Sequence, residues 1–460
     1  IFQSINTQFC KMEPKRKNVN AKPRRRSLEH SLRLIIKHMK TSTKLLKLRI
    51  VSELFNSLIS EKLNSEKFWK KLCYKYEIVP WLTKIKKNLF PLIKKDNILN
   101  LFLINQSNWK KMYLHYRKWR NIFRSLNSSS WRDLHNAGYG EKFLFVASFA
   151  GHLAINVDDK FIDVIISIKG KTRKFRLIKP VAQENFTVEE IGFWNAKNGG
   201  ILLYVLLDNG YLYFGKHTMT LWMSNSQAFE NILCTENDAL ISIKDDFTHL
   251  KEHLRSPSSP YNPIVGNSKE ITGLPSNINL DEYTIIGMFG DTDNLILACL
   301  KEKMLLKIRI KVPTESAQST YEIYKFTLLT LDDSNARTPF YCYIPHSDVM
   351  VIANGPHLWI SCEYKISNDF GHYLRHVNCI RVVTSLTMHC NIILAGLDNG
   401  TILVLSFENY QDHNKNRLVL IKRLWIDTVK DPIISVNIDE VNDRSRIIAG
   451  TKSTIKYLDF

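Results

Sequence analysis

The sequence predicts an α+β multidomain protein in which an N-terminal helical part is followed by an all-β propeller with seven blades. Apolar residues recur at helical spacing up to residue 127. After the serine run at 128–130, short β-rich segments alternate with turn residues, which is typical of an all-β array. The 460 residues therefore divide into four predicted parts: a disordered basic tail at 1–27, a helical module at 28–72, a helical aromatic linker at 73–127 and the propeller at 128–460.

The positive charge of the chain is concentrated in its first part. Residues 1–130 hold 30 Lys and Arg against 7 Asp and Glu, whereas the remainder holds 34 against 37. Such asymmetry is typical of proteins that bind nucleic acid or an acidic protein. Basic clusters at 15–17 and 22–26 resemble a nuclear localisation signal, although a solvated disordered tail has the same composition.

The module at 28–72 is predicted to fold as three helices. Apolar residues from Leu32 to Met39 share one helical face, and Ser27 can cap the first helix. The next run, which ends near Leu58, is apolar over more than one stripe. We expect such a helix to bury one face against its own neighbours and another face against a partner.

This module resembles an F-box from its first leucine to the closing sequence FWKKL. The sequence departs from the family pattern at Glu29, where proline is usual, at Lys40, where an apolar residue is common, and at Lys44, where an acid is common. The alternative is a helical bundle whose own core imitates the pattern. Nine positions agree in register, namely Leu28, Leu32, Ile36, Leu45, Leu46, Leu48, Val51 and Leu58 as aliphatic residues and Phe55 as the aromatic.

The resemblance implies a partner for this module. F-boxes bind an acidic adaptor and, through it, the cullin of a ubiquitin ligase, and a basic module suits an acidic adaptor because complementary charges orient association. The family pattern places six residues at or beneath that interface, namely Leu28, Leu32, Ile36, Leu45, Leu46 and Val51.

The linker at 73–127 interleaves tryptophan and tyrosine with lysine, and Pro80 and Pro91 divide it into short helices. Its sequence NWKKMYLHYRKW resembles FWKKLCYKYEI, and similar words follow the F-box in receptors that carry a propeller. Helical spacing of the aromatic residues predicts a core between two modules. The alternative is a groove that grips single-stranded nucleic acid.

Seven hairpins are predicted after residue 130, and on this basis we predict seven blades, with six or eight as alternatives. Because Phe460 falls in an expected inner strand, the last blade is predicted to take its outer strand from residues 119 to 130, which removes exposed sheet edges. The hairpin turns centre on Gly151, Asp208-Asn209-Gly210, Asp246, Glu302, Gly355, Asp398-Asn399-Gly400 and Ser453.

The unit ILAGLDNGTILVLSF resembles the middle hairpin of a WD repeat. Its Asn-Gly pair is predicted to supply the positive φ angles that a two-residue hairpin turn needs. The Gly-His and Trp-Asp words of well-formed WD repeats are missing. The resemblance is therefore to the architecture, over about 330 residues.

In this order, the module, linker and propeller resemble the F-box/WD-repeat substrate receptors of cullin-RING ubiquitin ligases. The resemblance implies a non-catalytic subunit that binds the adaptor through the F-box and a protein substrate through the propeller. The alternative is a propeller scaffold whose basic helical arm binds nucleic acid in a nuclear assembly. Candidate substrate-binding residues lie at blade turns that we expect on one face, namely His152, Asp208, Asn209, Glu302, His357, Asp398 and Asn399.

No catalytic, cofactor or metal site is predicted. Gly170-Lys171-Thr172 lacks the first glycine and the helix of a phosphate-binding loop. His249 with His253, and His372 with His376, lack an evident third metal ligand. The eight cysteines include no C-x-x-C pair, which predicts reduced thiols in the cytoplasm or nucleus. The apolar runs fall far short of the ~18 residues of a membrane span, so we expect a soluble protein without membrane association.

Overall fold

The computed structural model describes Ile36 and residues 53–75, 81, 84–85, 108–122, 131–168, 171–178, 185, 187–196, 200–215, 221–223, 231–234, 240–243, 250–253, 268–270, 282–290, 294–311, 320–328, 338–362, 365–367, 369–376, 379–408, 417–426, 430–441 and 444–460. The chain divides into two compact units, residues 1–76 with 106–110 and residues 77–105 with 111–460. None of the described helices is long and apolar enough to cross a lipid bilayer.

The first unit contains helices α1 (Glu53–Leu63) and α2 (Glu66–Lys75). Glu66 in the first turn of α2 and Lys75 in its last turn complement the helix dipole. The indole Nε1 of Trp69 donates to the Leu63 carbonyl at 2.6 Å, so the buried ring leaves its polar atom satisfied. The apolar core of the two helices consists of Leu58, Ile59, Leu63, Trp69, Leu72 and Cys73.

Helix α3 (Asn108–Arg120) carries the linker aromatics, and its residues from Lys111 onward belong to the second unit. Tyr113, Tyr116 and Trp119 are buried at helical spacing, whereas Leu114 on the opposite face is half exposed. The Trp119 ring lies against that of Phe460 at a centroid distance of 4.8 Å. These three aromatic residues are thus buried within the second unit, and rings buried in this way are not available to stack on bases.

The second unit begins its β-structure with β1 (Arg132–Asn136) and continues in antiparallel sheets of four strands. Sheet 1 contains β2 (Phe143–Phe149), β3 (His152–Val157), β4 (Phe161–Ile168) and β5 (Lys171–Ile178). Sheet 2 contains β6 (Val188–Ala196), β7 (Gly200–Leu207), β8 (Leu212–Gly215) and β9 (Leu221–Met223). Sheet 3 contains β10 (Asn231–Cys234), β11 (Leu240–Ile243), β12 (Leu250–His253) and β13 (Ser268–Glu270).

The later sheets repeat this arrangement. Sheet 4 contains β14 (Thr284–Gly290), β15 (Asn294–Lys301), β16 (Met304–Lys311) and β17 (Thr320–Thr327). Sheet 5 contains β18 (Phe340–His346), β19 (Val349–Asn354), β20 (His357–Cys362) and β21 (Lys365–Ile366). A 3-10 turn (Gly371–Leu374) and the short pair β22 (Arg375–His376) and β23 (Cys379–Ile380) follow. Sheet 6 contains β24 (Val383–His389), β25 (Ile392–Leu397), β26 (Thr401–Glu408) and β27 (Arg417–Trp425).

Sheet 7 joins the two ends of the β-rich region. Its order is β1-β30-β29-β28, in which β28 (Ser435–Val441), β29 (Arg444–Gly450) and β30 (Thr454–Asp459) are the last strands of the chain. The prediction that the last sheet takes a strand from the N-terminal side is confirmed. The predicted position at 119–130 is wrong, because α3 continues to Arg120 and the pairing strand begins at Arg132. As a largely polar edge strand, RDLHN carries little of the apolar pattern that identified the others.

All seven predicted hairpins are antiparallel strand pairs in the structure. Three of the second strands, β3, β19 and β25, are buried at every position. A strand buried on both faces reads as a continuous apolar run. This is why segments such as VMVIAN and IILAGL were recognisable in the sequence.

The Asn-Gly turns differ from the two-residue type that we predicted. Positive φ is found at Gly210 (79°) and Gly400 (76°) but not at Asn209 or Asn399. The Gly210 N–H donates to the Leu207 carbonyl at 2.8 Å. Residues 207–210 therefore form a turn whose last residue is a glycine in the left-handed conformation. This is the geometry of a three-residue hairpin loop, in which the glycine alone needs a positive φ.

Neighbouring sheets pack face to face. Sheets 4 and 5 share one apolar core, which includes Ile296, Leu305, Met350 and Trp359. Sheets 1 and 2 share another, and so do sheets 7 and 1, where Phe143 packs with Ile455. The described part of the chain is thus mostly β and consists largely of packed four-stranded antiparallel sheets, which is compatible with a β-propeller.

Candidate functional site

One of the six predicted adaptor-binding residues lies among the described residues. Ile36 is helical and buried, and its carbonyl accepts a hydrogen bond from the Lys62 ammonium of α1. The other five residues, Leu28, Leu32, Leu45, Leu46 and Val51, lie outside the described residues.

The predicted substrate-binding residues occupy two kinds of turn. His152 follows the turn between the first and second strands of sheet 1. The other six lie at turns between second and third strands, in sheets 2, 4, 5 and 6. In an antiparallel sheet these two turns lie at opposite ends of the strands. In blades of the same orientation, His152 therefore lies at the opposite end of the strands from the other six candidates.

His152 is also buried, with 5% of its surface exposed. Its ring lies 5.8 Å from that of Phe193, and Nδ1 is 3.2 Å from the Ala150 carbonyl. It lines an apolar pocket between sheets 1 and 2 whose other walls include Val164 and Leu203. The structure gives His152 a packing role between two sheets rather than an exposed position on a turn.

Asp208 and Asn209 organise the turn of sheet 2. The Asp208 carboxylate accepts a hydrogen bond from the Thr187 hydroxyl at 2.8 Å, just ahead of β6. The Asn209 side-chain oxygen accepts the Tyr211 N–H at 3.1 Å. Asp208 is exposed, so part of its surface remains available to a partner.

Asp398 and Asn399 serve the corresponding turn of sheet 6. The Asp398 N–H donates to the Val382 carbonyl at 3.0 Å, just ahead of β24. The Asn399 side-chain oxygen accepts the Thr401 N–H at 3.3 Å, and Asn399 is buried. These contacts stabilise the turn. They explain why Asp-Asn-Gly recurs in the sequence, and the explanation requires no binding partner.

The remaining two candidates differ in exposure. His357 is half-buried, and its Nδ1 lies 2.6 Å from the Asp369 carboxylate, which also accepts the Leu358 N–H at 2.9 Å. Glu302 is exposed at a turn with φ of 50°. Among the seven candidates, Asp208 and Glu302 thus present exposed carboxylates, and the others are at least half-buried.

One polar cluster was not predicted from the sequence. His115 of α3 meets His389 at the end of β24, with Nε2 atoms 2.8 Å apart although the residues are 274 positions apart in the chain. Cys390 and the Glu440 carboxylate lie beside them. No sequence spacing links these residues, because an α-helix and two separate sheets bring them together.

The chain matches no protein-family model and no curated protein.

Proposed function

We propose that this protein is the substrate-recognition subunit of an F-box-type cullin-RING ubiquitin ligase. The observation that carries the proposal is the nine-position F-box register between Leu28 and Leu58. The described helices support it, since α1 contains the end of this register and α2 contains the closing FWKKL with Trp69 and Leu72 in its core.

The proposal includes a closed ring of seven blades formed by sheets 1 to 7. Backbone hydrogen bonds join the second turn of one sheet to the first strand of the next. The Val383 N–H donates to the Gly355 carbonyl at 3.2 Å, and the Ile433 N–H donates to the Leu397 carbonyl at 3.1 Å. The Phe143 N–H donates to the backbone carbonyl of Lys452 at 2.8 Å, which links sheet 7 back to sheet 1. These bonds, together with the shared cores and the contact of β10 in sheet 3 with β14 in sheet 4, support a ring whose remaining junction, between sheets 2 and 3, is inferred by analogy.

In this ring the second turns of all blades share one end. A protein substrate that binds there meets the exposed carboxylates of Asp208 and Glu302. The receptor forms no covalent bond with the substrate. It holds the substrate while the other ligase subunits transfer ubiquitin.

Co-purification with a tagged acidic adaptor of the F-box-binding class tests the proposal. Replacing Ile36 and Leu46 together with Arg puts two charges into the predicted apolar interface. We expect recovery of the adaptor to fall to the background of the assay, because an unpaired buried charge is strongly unfavourable. The matched control is Leu114→Arg on α3, a half-exposed leucine outside the module, which should leave recovery unchanged.

Thermal unfolding of the same samples separates a lost interface from a lost fold. The wild-type chain provides the decisive outcome without any substitution. Failure of the folded wild-type chain to retain the adaptor, or equal recovery with the double variant, would contradict the proposal. Retention of nucleic acid instead of the adaptor would favour the propeller scaffold with a basic arm.

A further inference from the structure

Three potential metal ligands converge inside the second unit. His115 of α3, His389 of β24 and Cys390 in the turn after β24 offer ligand atoms that all lie within 4.8 Å of one another. All three residues are buried, with 6%, 0% and 1% of their surfaces exposed. A fourth donor, the Glu440 Oε1 of β28, lies 3.6 Å from His115 Nε2. The cluster thus contains two imidazoles, a thiol and a carboxylate.

This donor set suits a transition-metal ion of the zinc type. Zinc binds thiolate sulfur, imidazole nitrogen and carboxylate oxygen with four ligands in a tetrahedron. Magnesium and calcium require a shell of oxygen ligands, which a single carboxylate does not supply. The ligand types therefore exclude the hard cations and favour zinc, or cobalt as its experimental substitute.

Each imidazole can bind a metal through a ring nitrogen that carries no proton. Two imidazoles whose nitrogens lie 2.8 Å apart can also share one N–H···N hydrogen bond, which is the competing explanation of the same geometry.

The backbone turn places Cys390 in the cluster. Cys390 has φ of 51°, in the left-handed region, and Ala150 has φ of 50° at the corresponding turn of sheet 1, so this conformation belongs to the turn. The turn brings the Cys390 sulfur into the same cluster as the preceding His389, so two adjacent residues both present donors.

The surroundings orient these donors. Glu440 accepts hydrogen bonds from the Trp119 indole at 3.0 Å and from the Ser445 hydroxyl at 2.9 Å. The Trp119 ring also packs against His389 at a centroid distance of 4.7 Å. Outer groups that hold ligands in place are typical of metal sites. Two groups oppose a cation here, namely the Lys84 ammonium, which donates to the Met388 carbonyl at 2.9 Å, and Lys118 of α3, whose charge acts on His115.

We propose that His115, His389 and Cys390 bind one zinc-type ion, with Glu440 or a water molecule as the fourth ligand. On binding, the Cys390 thiol gives its proton to solvent, its sulfur bonds the metal as thiolate, and nothing is oxidised or reduced. Zinc–nitrogen bonds of about 2.0–2.1 Å at tetrahedral angles separate two nitrogens by ~3.4 Å. The imidazoles therefore move apart by about half an ångström from their 2.8 Å separation.

Such an ion joins α3 to the strand ends of sheets 6 and 7. With Glu440 as the fourth ligand, four protein ligands close the tetrahedron and the site is structural, because a catalytic metal keeps one position for water or substrate. Its contribution is to fix the second half of the linker helix on the β-sheets. The proposal is independent of the ligase assignment, since it concerns residues that the F-box does not contain.

Binding of Co²⁺ and Zn²⁺ alone to the full chain tests this site. The chain is stripped with a chelator and titrated with Co²⁺, whose visible spectrum reports a tetrahedral site and whose near-ultraviolet charge-transfer band reports thiolate. We expect one equivalent per chain with both signals, displacement of Co²⁺ by Zn²⁺, and a higher thermal midpoint for the metal-loaded chain. The charge-transfer band should vanish in Cys390→Ala, and stoichiometric binding should be lost in His115→Gln.

Matched controls are Cys362→Ala and His346→Gln, which remove a buried thiol and a buried imidazole outside the cluster. Both should keep the full spectrum. Less than a tenth of an equivalent bound by the folded wild-type chain would overturn the proposal and leave the His115–His389 hydrogen bond as the explanation. An unchanged spectrum in Cys390→Ala would overturn it as well. Because the wild-type spectrum decides on its own, a variant that fails to fold does not prevent the test.

Discussion

Asp163 is the centre of a charged network at the junction of sheets 7 and 1. Its two carboxylate oxygens accept hydrogen bonds from Arg176 of β5 at 2.6 and 2.8 Å. His135 of β1 lies 2.9 Å from the same carboxylate, and Arg176 also bonds Glu141 at 2.9 Å. A single buried acid therefore holds the edge strand of sheet 7 against sheet 1.

The contribution of Asp163 to stability depends on pH. Burial raises its pKa, but hydrogen bonds from His135 and Arg176 outweigh burial and lower the pKa to about 2. A carboxyl whose pKa is lower in the folded state stabilises it above the unfolded pKa of about 4, and this stabilisation is lost as pH falls towards 2. Because Arg176 is partly exposed, we expect Asp163→Asn to lower the free energy of unfolding by about 1–2 kcal/mol at pH 7.

Chemical denaturation at a series of pH values measures this difference. It should shrink as the pH falls from about 4 to 2. The control is Asp133→Asn, which removes an exposed carboxylate 3.4 Å from Lys456 and should change stability by less than about 0.5 kcal/mol. A difference between wild type and Asp163→Asn that does not vary with pH would argue against this role of the network.

At the residue scale, the sequence predicted the positions of the turns more accurately than the roles of the side chains in them. Asp-Asn-Gly at 208–210 and 398–400 was correctly assigned to hairpin turns. The side chains of Asn209 and Asn399 bond the turn itself, so their recurrence reflects local folding. His152 was grouped with them because a hairpin in a sequence does not reveal which two strands of a sheet it joins.

At the element scale, prediction succeeded where both faces of a strand are buried. The runs VMVIAN and IILAGL are apolar at nearly every position because both faces of each strand are buried. The edge strand β1 failed this criterion, since most of RDLHN is polar and its partner β30 lies at the other end of the chain. Contact between such distant segments leaves no local pattern, and the same holds for His115 and His389.

The pairing of β1 with β30 predicts a specific cross-link. Asn136 and Thr454 are register partners, so Asn136→Cys with Thr454→Cys should form a disulfide under mild oxidation. The bond closes a loop of about 320 residues and should stabilise the folded chain by about 2–4 kcal/mol, because it restricts the unfolded state. Peptide mass spectrometry identifies the bond, and thermal unfolding with and without reductant measures its effect.

The matched control shifts the register by two residues. Asn136→Cys with Lys456→Cys places the cysteines on diagonal positions, where the Cα atoms of antiparallel strands are about 7–8 Å apart. That separation exceeds the reach of an unstrained disulfide. Equal cross-linking of both pairs would mean that β1 does not have this register, and cross-linking of neither pair would mean that the strand lies elsewhere.

At the scale of the whole molecule, charge and apolar surface favour different partners. The first 130 residues carry 30 basic against 7 acidic residues, and the F-box-like register of apolar residues lies in the same part of the chain. A phosphate backbone would bind such a segment through charge alone, whereas the proposed acidic adaptor would bind it through charge and buried aliphatic side chains. The two interactions differ in their dependence on salt, because counterion release dominates binding to nucleic acid.

Titrating salt therefore separates the ligase receptor from the nucleic-acid scaffold. Between about 0.05 and 0.2 M salt, a protein that neutralises 6–10 phosphates loses about a thousandfold or more in affinity. We expect adaptor binding to change by less than about tenfold over this range, since apolar burial is not screened.

A chain that begins at residue 28 provides the matched control, because it lacks the basic tail but keeps the whole F-box-like module, and it should retain the adaptor. Fluorescence anisotropy with labelled adaptor and with labelled single-stranded RNA measures both affinities in the same buffers. A steep salt dependence of adaptor binding, together with its loss in the shortened chain, would assign the interaction to the charged tail and remove the reason for placing Leu28, Leu32 and Leu46 at an interface.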